Sequence, residues 1–322
     1  MSRKEISTEF LNLAHTRPAT LAAVGDGNID QAVNVIKSWR NERPEFTAVV
    51  DAIVGMFGFS PYHRGMIMAA ADLAAEPRTL FYHDNQHSLE RFFIASILGM
   101  QAIKEAREPL EKIAIMMTSA LVLDYGHDGS TNWNPKREEN DQLKMQSRAV
   151  ERVTPALFGD YGISWHDWNA VEALVYATDD SIDPERFKRE PLLARSVATG
   201  LKMYLFREEG EKPDEHVLHY KIRHILHDDQ YAECAQMLQD ADAGKDLLDV
   251  GFAKRAAKNF AKEQRDLTGY NTNMEVFERL GLGRMFSISG KALMGDRIEQ
   301  TMNTLSHTPK LKVAHAKAQP ST

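Results

Sequence analysis

Two adjoining segments, Gln86–Ala106 and Leu110–Asp124, are apolar on more than one helical face, and they constrain the fold more than any other feature of the chain. Helices of that kind are central ones, because they must be covered on most sides. The rest of the chain supplies covers of the same period. Apolar residues recur at helical spacing over Ile29–Trp39, Glu45–Phe57 and His63–Ala75, separated by turn signals at Gly25-Asp26-Gly27, Arg43-Pro44 and Ser60-Pro61. Further helices are predicted over Glu138–Phe158, Trp165–Thr178, Pro191–Arg207, His216–Leu238, Leu247–Leu267, Met274–Leu280 and Lys291–Leu305, with Ser164 as an N-cap. Long alternating strand patterns are missing, so the expected class is all-α.

At 322 residues the chain can bury a substantial core. The expected organisation is one helical bundle over 1–306: an N-terminal layer over 1–75, a core over 76–260 and C-terminal helices over 261–306. The polar segment 307–322 is expected to be a flexible tail. Lys and Arg number 39 against 46 Asp and Glu, a net charge of −7, which argues against a basic surface for duplex nucleic acid. A small anionic substrate stays compatible with that charge where a cation inverts the local field. The longest conspicuous apolar run, Ile113–Leu123, is too short for a bilayer, which takes about 20 residues. The opening MSRKEISTEFLNLAHTR carries Glu5 and Glu9 and no apolar signal core, and Cys234 is the only cysteine. Both fit a cytoplasmic protein with no disulfide. Cys234 and the Met116-Met117 pair read as core.

Chemistry concentrates in three places: Tyr82-His83-Asp84-Asn85-Gln86-His87, Leu123-Asp124-Tyr125-Gly126-His127-Asp128-Gly129, and Asp240-Ala241-Asp242-Ala243-Gly244. His83 and His87 are four apart and share one side of a helix if it has begun by then. Asp124 ends an apolar helix, where an unpaired carboxylate is costly to bury. Asp242 follows an apolar stretch and reads as a turn acid. His166-Asp167 sits at a helix start and reads as capping. His216, His219, His224 and His227 read as a stripe on one helix rather than as a metal site.

Together the segments resemble the metal motifs of the HD-domain phosphohydrolases, most closely the catalytic domain of the class I cyclic nucleotide phosphodiesterases. The motif YHNxxH is similar to residues 82–87, HDxxHxGxxN to Leu123–Asn132, the late Ala-Asp pair to Ala241-Asp242, and the AT-Asp-x-S motif to Ala177–Ser181. The resemblance implies that His87, Asp124 and Asp242 bind a first metal, that Asp124 bridges to a second, and that His83 donates a proton to the leaving oxygen. It places His127 close behind the ligands, and gives Glu151 and Asp179 as candidates for supporting metal-bound water. In such sites the ion lowers the pKa of bound water and neutralises phosphoryl charge.

The chain departs from that pattern in three ways. The motif His before the bridging Asp is Leu123, which cannot coordinate. One imidazole and two carboxylates remain, an oxygen-weighted set that favours Mg²⁺ or Mn²⁺, with Zn²⁺ or Fe as further candidates. The motif Asn is Asp84, which adds negative charge where an anion would dock. The late segment MEVFERLGLGRMFSISGKALMG holds no glutamine for a purine. Two functions are expected from this. One is a divalent-metal phosphohydrolase acting on a nucleotide-type phosphodiester or phosphomonoester through a two-metal site. The alternative is a catalytically degenerate HD-domain module that binds a nucleotide or a protein, with Leu123 as its mark.

Overall fold

The computed structural model describes residues 17–127, 149–150, 152–178, 231–263 and 285–306. Their regular structure is helical, with no strand among the described residues. A helical stretch over 17–26 leads into α1 (Ile29–Glu42), α2 (Phe46–Val54), α3 (Pro61–Ala74), α4 (Asn85–Lys104) and α5 (Leu110–Val122). After a π-helical turn at Pro155–Asp160 come α6 (Trp165–Ala177), α7 (Ala232–Leu247), α8 (Val250–Glu263) and α9 (Ile288–Ser306). The helices expected over Pro191–Arg207 and Met274–Leu280, the four-histidine stripe and the tail lie outside the described residues.

Local chemistry explains the N-terminal boundaries. Asn28, Glu45 and Ser60 cap α1, α2 and α3 by accepting hydrogen bonds from backbone N–H groups of the first turn. Gly27 and Arg43 adopt left-handed φ of 68° and 48°, which turns the chain before and after α1. Ser164 Oγ accepts from Asp167 N at 3.1 Å, and Asp167 Oδ2 accepts from Ser164 Oγ and Tyr62 Oη. The His166-Asp167 pair therefore starts α6, as expected.

α4 and α5 are the central pair. α4 packs on α5 and α7, α5 on α3 and α6, and α9 closes over α7. Trp39, Phe92, Phe93, Met116 and Met117 are sealed in the apolar core, and Cys234 joins them. Gly99 lets α4 and α5 approach closely: a Cβ there would meet Ile113 Cγ2 at 2.8 Å.

One expectation is corrected. Asp240 and Asp242 are not in a turn after an apolar helix; they lie inside α7, which runs on to Leu247. The helix continues because the segment is buried: Asp240 accepts from Phe286 N, Ser287 N and Ser287 Oγ, so its carboxylate is paired with the start of α9. The sequence AECAQMLQDADAGKDL shows weak amphipathicity because both faces are covered.

Candidate metal centre

The site forms where the first turn of α4, the end of α5 and the middle of α7 meet. Asp84 caps α4 by accepting from His87 N at 2.9 Å, so Asp84 is a helix cap rather than a charge awaiting a ligand. Its neighbour Asn85 fastens the approach. Asn85 Nδ2 donates to Ala74 O and Glu76 O, each at 2.6 Å, while Oδ1 accepts from Arg78 N. His83 therefore precedes the helix, and His87 is in its first turn.

His87 Nε2 lies 3.3 Å from Asp242 Oδ1 and 3.6 Å from Asp124 Oδ2. Distant segments thus bring together the three ligands named from the motifs. A second cluster adjoins it. His83 stacks on His127 with ring centroids 3.8 Å apart and planes 18° apart, and His83 Nδ1 bonds Glu263 Oε1. His127 Nδ1 is 3.9 Å from the same oxygen. Two sets of donors, His87/Asp124/Asp242 and His83/His127/Glu263, are close enough to hold a metal ion. In the second set, near-parallel stacked rings do not aim their in-plane lone pairs at one point, so an ion there requires a ring to turn. Glu151 and Asp179 lie outside the described residues, as does the second motif beyond His127.

Another cation already holds the first set. Arg91, one turn after His87 on the same helix face, is fully buried; its Nη1 donates to Asp124 Oδ2 at 2.5 Å and to Asp242 Oδ1 at 3.0 Å. These are the two oxygens nearest His87 Nε2. Ions sit about 2.0–2.6 Å from carboxylate oxygens, so one bound to both would crowd the guanidinium, cation against cation. Arg91 Nε is anchored on Ala120 O at 2.8 Å, which fixes the side chain against swinging clear.

The surrounding charges balance without an ion. Lys245, also fully buried, donates to Asp242 O and lies 3.5 Å from Asp242 Oδ1 and 3.3 Å from Asp246 Oδ2. Arg40 holds Glu90 through two hydrogen bonds and lies 3.8 Å from Asp246. Arg78 Nη1 donates to Asp124 O at 3.3 Å. The carboxylates of Asp124, Asp242, Asp246 and Glu90 are thus paired with Arg91, Lys245 and Arg40, and Arg78 adds a fourth cation on the main chain of Asp124. Burial and the Lys245 charge lower the pKa of His87 against the pull of Asp242 and Asp124. Burial would raise Asp124 and Asp242, but Arg91, Lys245 and the imidazoles hold both below the usual carboxylate range. The donor set is of a kind that could hold a divalent ion, and in this fold Arg91 already bonds two of its oxygens.

His83 behaves differently. Burial pulls its pKa down, but the Glu263 hydrogen bond and the charges of Asp124, Glu263 and Asp242 prevail and raise it. Burial raises Glu263, and its bond to His83 with the backbone N–H groups of Tyr82 and His83 brings it down to about 2. Leu123 is where the sequence suggested: it caps α5 and packs into the core, with its side chain offering no donor.

No model of a known protein family and no curated protein matches the chain. The likeness to HD-domain phosphohydrolases rests on the motif residues.

Reading the sequence alone missed Arg91, Lys245 and Glu263. A signal existed for the first two. Glu90-Arg91 interrupts an apolar helix at i+3 and i+4 from His87, and Lys245 sits at i+3 from Asp242, so each shares a face with a named ligand. Glu263, on a different helix from every motif residue, carried none.

Proposed function

We propose that the chain is a catalytically degenerate relative of the HD-domain phosphohydrolases, a binding module in which a guanidinium stands in for the catalytic ion. The supporting observation is Arg91 between Asp124 and Asp242. Leu123 fits the same reading, since a site that carries its own cation has no use for a further imidazole. The remaining acid–imidazole pair, His83–Glu263, borders the charged centre and gives it a polar rim that can hold a ligand without turning it over.

The test is elemental analysis of the purified full chain, run beside turnover of an aryl phosphodiester and a nucleotide panel with Mn²⁺ or Mg²⁺. The expected result is no stoichiometric metal and no turnover. A stoichiometric ion with turnover that Asp124→Ala abolishes would overturn the proposal.

A second reading, metal-dependent hydrolysis of a nucleotide-type phosphate ester, is favoured by the closeness of the His87, Asp124 and Asp242 donors. It requires Arg91 to leave the carboxylates when an ion enters. Under that reading, His83 holds a proton near the leaving oxygen. The same assay separates the two.

A further inference from the structure

Arg91 and Arg78 each retain one guanidinium nitrogen, Nη2, that is shielded from solvent and has no acceptor among the described residues. Both remaining nitrogens of Arg91, and Nη1 of Arg78, are held in place. Arg91 is tied to Ala120 O, Asp124 Oδ2 and Asp242 Oδ1, and Arg78 Nη1 bonds Ser88 Oγ and Asp124 O, both at 3.3 Å. The two groups therefore flank Asp124, one on its carboxylate and one on its main-chain carbonyl. Arg91 spans two carboxylates, while Arg78 bonds none among the described residues and meets Asp124 through its main-chain carbonyl. Arg91 is fully buried while Arg78 is part-exposed, so the pair runs from the interior toward the surface.

Buried N–H groups in folded proteins are paired. The donor edge of a rigid guanidinium matches an oxyanion, whose oxygens take charge-assisted hydrogen bonds in its planar geometry. A tetrahedral group can serve two such edges at once because its oxygens diverge.

We propose that the open edges of Arg78 and Arg91 bind a tetrahedral phosphoryl group, either free phosphate or the end of a small phosphate ester, without a metal ion. This deepens the binding-module reading and rests on it: the guanidinium that displaces the cation also recognises the anion. Asp124 accepts from both arginines, through its carboxylate and its main-chain carbonyl, so the ligand meets a preorganised pair.

The test is titration of the full chain with inorganic phosphate, and separately with a nucleoside monophosphate, followed by calorimetry in a phosphate-free buffer containing EDTA. Saturable binding is expected, weakened at least tenfold in Arg78→Gln and partly kept in Arg78→Lys. Arg78 is part-exposed, so these variants stay informative even if Arg91 variants fail to fold; circular dichroism checks each one. Tighter binding of the ester assigns the site to esters, and equal affinity assigns it to free phosphate. No binding, or binding that Arg78→Gln leaves unchanged, overturns the inference, with water as the occupant. Binding seen only without EDTA overturns it as well. The metal-free reading fails separately, by elemental analysis, so the two failures are distinguishable.

Discussion

Arg91 Nη1 lies 2.5 Å from Asp124 Oδ2, and both side chains are withdrawn from water, the arginine completely and the aspartate to 11% exposure. A hydrogen-bonded pair of that kind owes its stability to its partners, since each charge alone would be expensive to bury.

Arg91→Met should therefore leave Asp124 and Asp242 facing one another, with Lys245 on Asp242 and Arg78 on the main chain of Asp124 as the remaining close cations. The expected loss is about 3–5 kcal/mol in urea unfolding, the range for breaking a buried ion pair from one side. The vacated oxygens are also the ones nearest His87 Nε2. Mn²⁺ should raise the melting temperature of Arg91→Met and leave the parent protein unmoved. An equal Mn²⁺ response in both proteins would show that the guanidinium does not exclude the ion.

Stability should have an acid-side optimum. Asp124, Asp242 and Glu263 have folded pKa values below their unfolded ones, so their contribution is complete above roughly pH 4 and is lost as the pH falls, through about 2 for Glu263. His83 has the opposite sign: its folded pKa is raised, and its contribution is present below an unfolded value of roughly 6.5 and lost as the pH rises through the folded one. Burial pushes Asp240 up to about 7, adding a loss in the same direction from roughly pH 4 upward. His87, whose folded pKa is lowered, opposes this by adding stability as the pH rises toward roughly 6.5, so melting temperature measured from pH 2 to 9 should peak between about pH 4 and 7. A curve still climbing from pH 5 to 8 contradicts this balance.

Asp240→Ala should detach the start of α9 from α7. Phe286 N, Ser287 N and Ser287 Oγ all donate to this carboxylate, at 2.8, 2.8 and 2.6 Å. Removing the acceptor leaves buried donors unpaired, a loss of about 2–4 kcal/mol. Hydrogen exchange should show it first in Ile288–Ser306. Faster exchange there with α4 and α5 unaffected is the expected pattern; uniform exchange across all three helices would count against a local fastening role.

Gly99→Ala tests the central contact of α4 with α5. An alanine normally favours a helix by about 1 kcal/mol over glycine. Here its Cβ would fall 2.8 Å from Ile113 Cγ2 and 3.1 Å from Met116 Cε, too close for both neighbours. The net change should be destabilising, by about 1–2 kcal/mol in chemical denaturation, because overpacking outweighs propensity. A stabilised variant would show that the helices can separate freely.

The helices legible in the sequence are those whose ends carry their own chemistry. Ser60-Pro61, Glu45 and Ser164 announced boundaries through side chains that act within three residues. α7 was misread because Asp240 and Asp242 look like turn residues until α9, Arg91 and Lys245 supply partners from elsewhere. In the centre, His87, Asp124 and Asp242 were found because motif order survives in sequence. Arg91 was overlooked although it sits four residues from His87, since a charged residue within an apolar helix has meaning only once its partners across the fold are known.

What the sequence by itself determined is the helical class and the central place of α4 and α5, because periodicity and caps are local properties of the chain, while the motif resemblance singled out His87, Asp124 and Asp242. Only the tertiary structure decided what stands between those three side chains. Whether two carboxylates meet an ion or a guanidinium depends on distances across three helices, and on how burial strengthens or forbids each charge. Those quantities come into being when α4, α5 and α7 pack together.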